Sequence, residues 1–140
     1  MHNGSVFPPP QPWKQLRPAD PEREYVAFTS HFPVKSWQHV LPFFLWSLRI
    51  GKQANAAPGA MGWSLGANLA TKDFFTLSAW EDGASLHAFV QSGEHAAAMK
   101  RFEGIMRQRS LLLRYAVVGR DLPLTWDDAL ARQREALRRD

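Results

Sequence analysis

One hundred and forty residues, 45% apolar and 21% charged, suit a single soluble core and exclude a chain that is disordered throughout. The absence of cysteine excludes a disulfide framework, a thiolate metal or iron–sulfur site and a cysteine nucleophile. Lys and Arg number 17 against 13 acids, a net charge of +4, and the arginines are interleaved with acids rather than gathered in a stripe, which argues against a nucleic-acid partner.

Residues 1–23 read as a Pro-rich arm carrying Pro8, Pro9, Pro10, Pro12, Pro18 and Pro21. Consecutive prolines favour polyproline II and forbid helix, so the arm orders only where Phe7 and Trp13 find a surface. Its opening has no apolar run resembling a signal peptide. Glu24 to Phe32 (EYVAFTSHF) is β-branched and aromatic without a breaker, and predicts a strand that Pro33 ends. Ser36 is positioned to cap a helix starting at Trp37, and Pro42 inside it predicts a kink or a restart. Trp37, Val40, Leu41, Phe43, Phe44, Leu45, Trp46 and Leu48 run nearly round this helix. A helix apolar on several faces is covered on several faces, here by the sheet and by a partner subunit, the arm or a ligand. The dense run Val40–Leu48 is less than half the length of a membrane span. A soluble, cytoplasmic protein without a membrane partner is therefore expected.

Ala57-Pro58-Gly59 is a turn. Met61 to Leu69 (MGWSLGANL) alternates, with Met61, Trp63, Leu65, Ala67 and Leu69 on one face and the small or polar Gly62, Ser64, Gly66 and Asn68 on the other. Asp73 to Glu81 (DFFTLSAWE) completes a hairpin, with Phe74, Thr76, Ser78 and Trp80 opposite Phe75, Leu77 and Ala79. Asp82 caps a helix through Leu86, Phe89 and Val90, which Ser92-Gly93 breaks, and a second helical piece runs from Glu94 to about Met106. Ser110 to Val118 is a fourth strand. Thr125, with Asp128 three residues on as in a capping box, starts a last helix from Trp126 to about Arg138, packing through Trp126 and Leu130.

The order β-α-β-β-α-β plus a terminal helix predicts an α+β, ferredoxin-like domain over residues 24–119, with a helical extension over 120–140. Helices cover one sheet face in this fold. The other face is apolar too, and a second copy of the chain, packed sheet to sheet, is the economical cover.

The stretch FFTLSAWEDGASLHAFVQSGEHAAAM, Phe74 to Met99, resembles the strand–helix signature of the antibiotic biosynthesis monooxygenase-like family within the dimeric α+β barrel superfamily, and is similar to bacterial members labelled spheroidene monooxygenase-like. The likeness runs from about Tyr25 to Val118. It implies a homodimeric α+β barrel. It also implies a small-molecule enzyme of monooxygenase type, acting without a cofactor on an apolar aromatic or polyene compound. In such enzymes an electron-rich substrate such as an anthrone is deprotonated and then reacts with dioxygen. Haem is the alternative cofactor. In the haem-degrading branch a Trp precedes the proximal His by ten residues; the corresponding positions here hold Phe89 and Met99, a departure from that pattern. Haem ligated by His95, one turn earlier, and a non-catalytic ligand-binding dimer are the remaining alternatives.

His95, near a helix start, is the candidate base, because a helix N-terminus disfavours the imidazolium. Asn68 is a candidate donor to a developing oxyanion, and Trp80 shares its face with the hydroxyls of Thr76 and Ser78, an arrangement suited to orienting a flat substrate. Phe44, Trp63, Thr76, Ser78, Phe89 and Met99 are the candidate substrate-binding residues. His31 and His39 flank the turn after the first strand, within reach of a cavity mouth, although each taken alone reads as a surface residue. No His pair at helical spacing with an acid suggests a metal, and none is expected.

Overall fold

A computed structural model describes residues 12–139, the Glu94 side chain aside; Phe7 and the Pro8–Pro10 run lie outside the described residues. Among the described residues, β1 (Lys14–Gln15), β2 (Glu24–Pro33), β3 (Ala60–Asn68), β4 (Asp73–Trp80) and β5 (Leu111–Val118) form one antiparallel sheet in the order β1-β3-β4-β2-β5. Helices α1 (Val40–Ala54), α2 (Gly83–Val90) and α3 (Gly93–Phe102) pack on one face, and α4 (Trp126–Arg139) on the other. The ferredoxin-like domain is thus present, with one short strand added from the arm and one helix added behind the sheet.

Local chemistry accounts for the boundaries. Trp37–His39 is a 3-10 turn and α1 restarts at Val40, so Pro42 falls in the first turn, where its missing N–H has no intrahelical partner to lose. The Asp82 carboxylate accepts from the Ser85 N–H at 2.8 Å and caps α2. α3 ends at Phe102, short of the expected Met106, because Glu103–Ile105 tightens into a 3-10 turn and Met106 bridges to Val34. Thr125 Oγ1 accepts from the Asp128 N–H at 3.3 Å, whereas the Asp128 carboxylate turns forward to Arg132 instead of closing a capping box.

One strand reading is corrected. β3 does not keep Met61 and Trp63 on one face, because the register against β4 shifts between Ala60 and Gly62. The extra residue of this bulge turns Met61 to the α4 side, beside Leu77 and Ala79, and leaves Trp63 on the side of α1.

The second sheet face carries Tyr25, Ala27, Met61, Leu77 and Ala79, all buried. Here, where a second copy was expected, the same chain supplies Leu124, Trp126 and Ala129. Gln133 is 4% exposed and donates to Thr29 Oγ1 at 2.8 Å; Thr29 in turn donates to the Thr76 carbonyl at 2.8 Å. Arg132 lies 4.1 Å over the Tyr115 ring. Docking thus rests on a buried amide as much as on the expected Trp126, and Ala129 stands in the core cluster where Leu130 was expected. Gln133→Leu is expected to destabilise the fold by about 1–3 kcal/mol, since it strips a buried hydroxyl of its donor. Urea unfolding measures it, and an unchanged midpoint would show that α4 docks by apolar contact alone.

Candidate active site

Between the sheet and α1–α3 lies a cavity of about 700 Å³. Its floor comes from alternate positions of three strands: Phe28 and Phe32 of β2, Trp63 and Leu65 of β3, and Thr76, Ser78 and Trp80 of β4. Phe43, Trp46 and Ile50 of α1 form one wall, and Phe89, His95 and Met99 another. Lys100, Glu103 and Arg109, all exposed, mark its solvent side. Trp63 reaches the cavity past Gly51: a Cβ at that position would stand 2.8 Å from the indole, so only glycine admits the ring against α1. The Trp63 N–H donates to Asn55 Oδ1 at 2.7 Å and fixes the ring plane.

Trp80 is 1% exposed and its N–H donates to Ser78 Oγ at 2.9 Å. The Trp80 ring meets Phe89 at a centroid distance of 5.0 Å, and Phe89 meets the His95 imidazole edge-on at 5.3 Å. The Thr76 hydroxyl is engaged with Ser30 Oγ. His95 is different. Of the buried polar side-chain atoms left without a well-formed hydrogen bond among the described residues, only its Nδ1 belongs to the cavity lining. Burial pushes the His95 pKa below its ordinary value, opposed in part by the backbone of Val90. The ring is therefore neutral at pH 7, with a nitrogen in an apolar enclosure, a state suited to taking a proton.

The fold brings Trp63, Thr76, Ser78, Trp80, Phe89, His95 and Met99 to one cavity, as the sequence suggested. Asn68 and Phe44 are not brought there. Asn68 ends β3 and its Oδ1 accepts from the Thr71 N–H at 3.3 Å, which commits it to the hairpin turn. Phe44 is 39% exposed and leans on Phe74 at a ring-centroid distance of 6.4 Å outside the cavity, and its neighbour Phe43 faces the cavity instead. His39 pairs with the Gln38 side chain at 3.3 Å and does not line the cavity. His31 sits behind the sheet, stacked on Phe75 at 4.8 Å and bonded to Asp73 at 2.7 Å. The sequence reading missed Phe28 and Phe32, although their even-numbered spacing along β2 marks one face. No set of metal-ligating side chains gathers among the described residues.

Neither a family model nor a curated protein matches the sequence. Solved structures do match. A candidate monooxygenase from Fusobacterium nucleatum aligns with TM-score 0.62 and 12% identity over 78% of this chain and 48% of that one. An antibiotic biosynthesis monooxygenase aligns with TM-score 0.60 and 12% identity over 66% and 98%. A candidate antibiotic biosynthesis monooxygenase from Caulobacter crescentus aligns with TM-score 0.61 and 13% identity over 69% and 92%. The chain thus spans about half the length of the first and nearly all of the other two. The likeness expected from Phe74–Met99 holds at the level of fold: this is the ferredoxin-like α+β architecture of antibiotic biosynthesis monooxygenase-like proteins. Fold at such identities leaves the reaction to the chemistry of the site.

Proposed function

We propose that this chain binds an apolar aromatic or polyene molecule in the cavity and, as a monooxygenase-like enzyme needing no bound cofactor, oxidises a substrate bearing an acidic C–H, such as an anthrone. One observation carries the reading: a neutral imidazole, its Nδ1 without a well-formed hydrogen bond, on the wall of a mainly apolar cavity. The cavity falls within the roughly 300–1,000 Å³ of small-molecule sites. His95 takes a proton from the substrate CH₂, and the resulting carbanion passes an electron to dioxygen. Recombination forms a C–O bond. The hydroperoxide then loses water to leave a carbonyl, so that R₂CH₂ and O₂ become R₂C=O and H₂O, with both further electrons drawn from the substrate. Trp63 and Phe89 supply flat surfaces against which a planar substrate lies, Trp80 backs Phe89, and the apolar walls exclude water from the carbanion.

The test is oxygen uptake with anthrone-type phenols, with ¹⁸O₂ to follow the oxygen. One O₂ consumed per substrate and one labelled oxygen in the product are expected. Tight ligand binding without oxygen uptake would replace the enzyme by a binding protein. A Soret shift saturating at one hemin per chain, lost in His95→Ala, would replace the cofactor-free reading by a haem protein, since His95 is the one imidazole lining the cavity among the described residues.

A further inference from the structure

α1 is apolar on two sides. One side turns Phe43, Trp46 and Ile50 to the cavity. The other leaves Leu41 and Leu45 at 63% and 55% exposure, one turn apart, in line with Trp37 at 58% in the preceding turn and with Phe44 at 39% beside them. Four large apolar side chains contiguous in water mark a surface that meets something.

The charges around them say what. No Asp or Glu occurs between Glu24 and Asp73, while Lys35, Arg49, Lys52 and Lys72 all fall in that stretch. Lys72 Nζ lies 5.0 Å over the Trp37 ring at one end of the apolar line. Lys52 continues the line past Leu45 at the other, while Arg49 leans over the Trp46 ring at 5.2 Å. Asp73, the carboxylate that follows Lys72, is bound by His31, Thr71 and Arg107.

We infer that this face of α1 is a docking surface for an anionic lipid bilayer. Trp37, Leu41, Phe44 and Leu45 enter the headgroup boundary, and the basic residues at both ends of the line meet lipid phosphates. A second copy fits less well, because a two-fold interface centred on this face sets the basic groups at one end against those at the other. The expectation of no membrane partner considered only spanning segments, and an interfacial helix needs none. This docking stands whatever the cavity holds, although α1 is then the single wall between the cavity and the phase in which apolar molecules dissolve.

The full-length protein is to be sedimented with vesicles of equal parts phosphatidylcholine and phosphatidylglycerol, and with vesicles of phosphatidylcholine alone. Salt-sensitive binding to the first is expected, with a blue shift of tryptophan emission that Trp37→Phe diminishes. The double variant Leu41→Ser/Leu45→Ser is expected to lower partitioning at least about tenfold. Lys35→Gln and Lys52→Gln are each expected to lower it about fivefold. Circular dichroism checks that these surface variants fold. No binding to anionic vesicles, or binding that the leucine variant leaves unchanged, would overturn the inference. So would a dimer in sedimentation equilibrium that the same variant dissociates, which would assign the face to a second copy.

Discussion

Replacing His95 by alanine is expected to slow turnover of an anthrone-type substrate by about 10²–10⁴-fold, the usual worth of a positioned general base. The loss should fall on kcat, because the aromatic surfaces that hold the substrate remain. Wild-type activity is expected to be flat near neutrality and to fall in acid only below the ordinary imidazole range, since burial lowers the pKa. The same shift bears on stability. The unfolded imidazole takes up a proton at higher pH than the folded one, so this contribution is complete above about pH 6.5 and is lost as the pH falls toward the lowered folded value. His95→Ala removes that slope. Turnover unchanged in the variant would end the role of His95 as base.

Asp73→Asn is expected to destabilise the fold by roughly 2–3 kcal/mol. Asp73 Oδ1 accepts from His31 Nε2 at 2.7 Å and from Arg107 Nη2 at 2.5 Å, and its Oδ2 accepts from Thr71 Oγ1 at 2.5 Å. Arg107 also donates to the carbonyls of Val34 and Thr71 at 2.9 and 3.1 Å. One carboxylate therefore ties the end of β2, the hairpin turn and the segment after α3. Burial alone would raise the Asp73 pKa, but the hydrogen bonds from His31, Thr71 and Arg107 outweigh it and hold the group at about 2. A depressed folded pKa contributes stability that is present above the unfolded value of 3.8 and drains away as the pH falls toward 2. Acid titration of unfolding should show this loss in the wild type and a flatter profile in Asp73→Asn. Identical acid profiles would mean that the cluster holds no charge-dependent stability.

Particular residues show why some features were legible from the sequence and others were not. Phe74, Thr76, Ser78 and Trp80 alternate cleanly and belong to a regular strand, so their common face followed from period two. Met61 and Trp63 alternate just as cleanly, but a bulge separates them, and a bulge leaves no mark on a hydropathy pattern. Lys14 and Gln15 pair with Trp63 and Gly62 as an edge strand, too short and too polar to stand out beside prolines. Phe43 and Phe44 are chemically equivalent, and only the rotation of α1 on the sheet decides which one faces the cavity. Gln133 is buried because a hydroxyl needs a donor, a requirement that counting apolar residues along a helix does not register.

The bond from Gln133 to Thr29 joins residues 104 positions apart. On a ribosome, β2 and β4 emerge well before α4, so the face made by Tyr25, Ala27 and Leu77 waits, apolar and open, until the segment after β5 is added. Folding of the nascent chain is therefore completed late, when α4 leaves the exit tunnel. Until then the back of the sheet is the surface that a chaperone would be expected to hold.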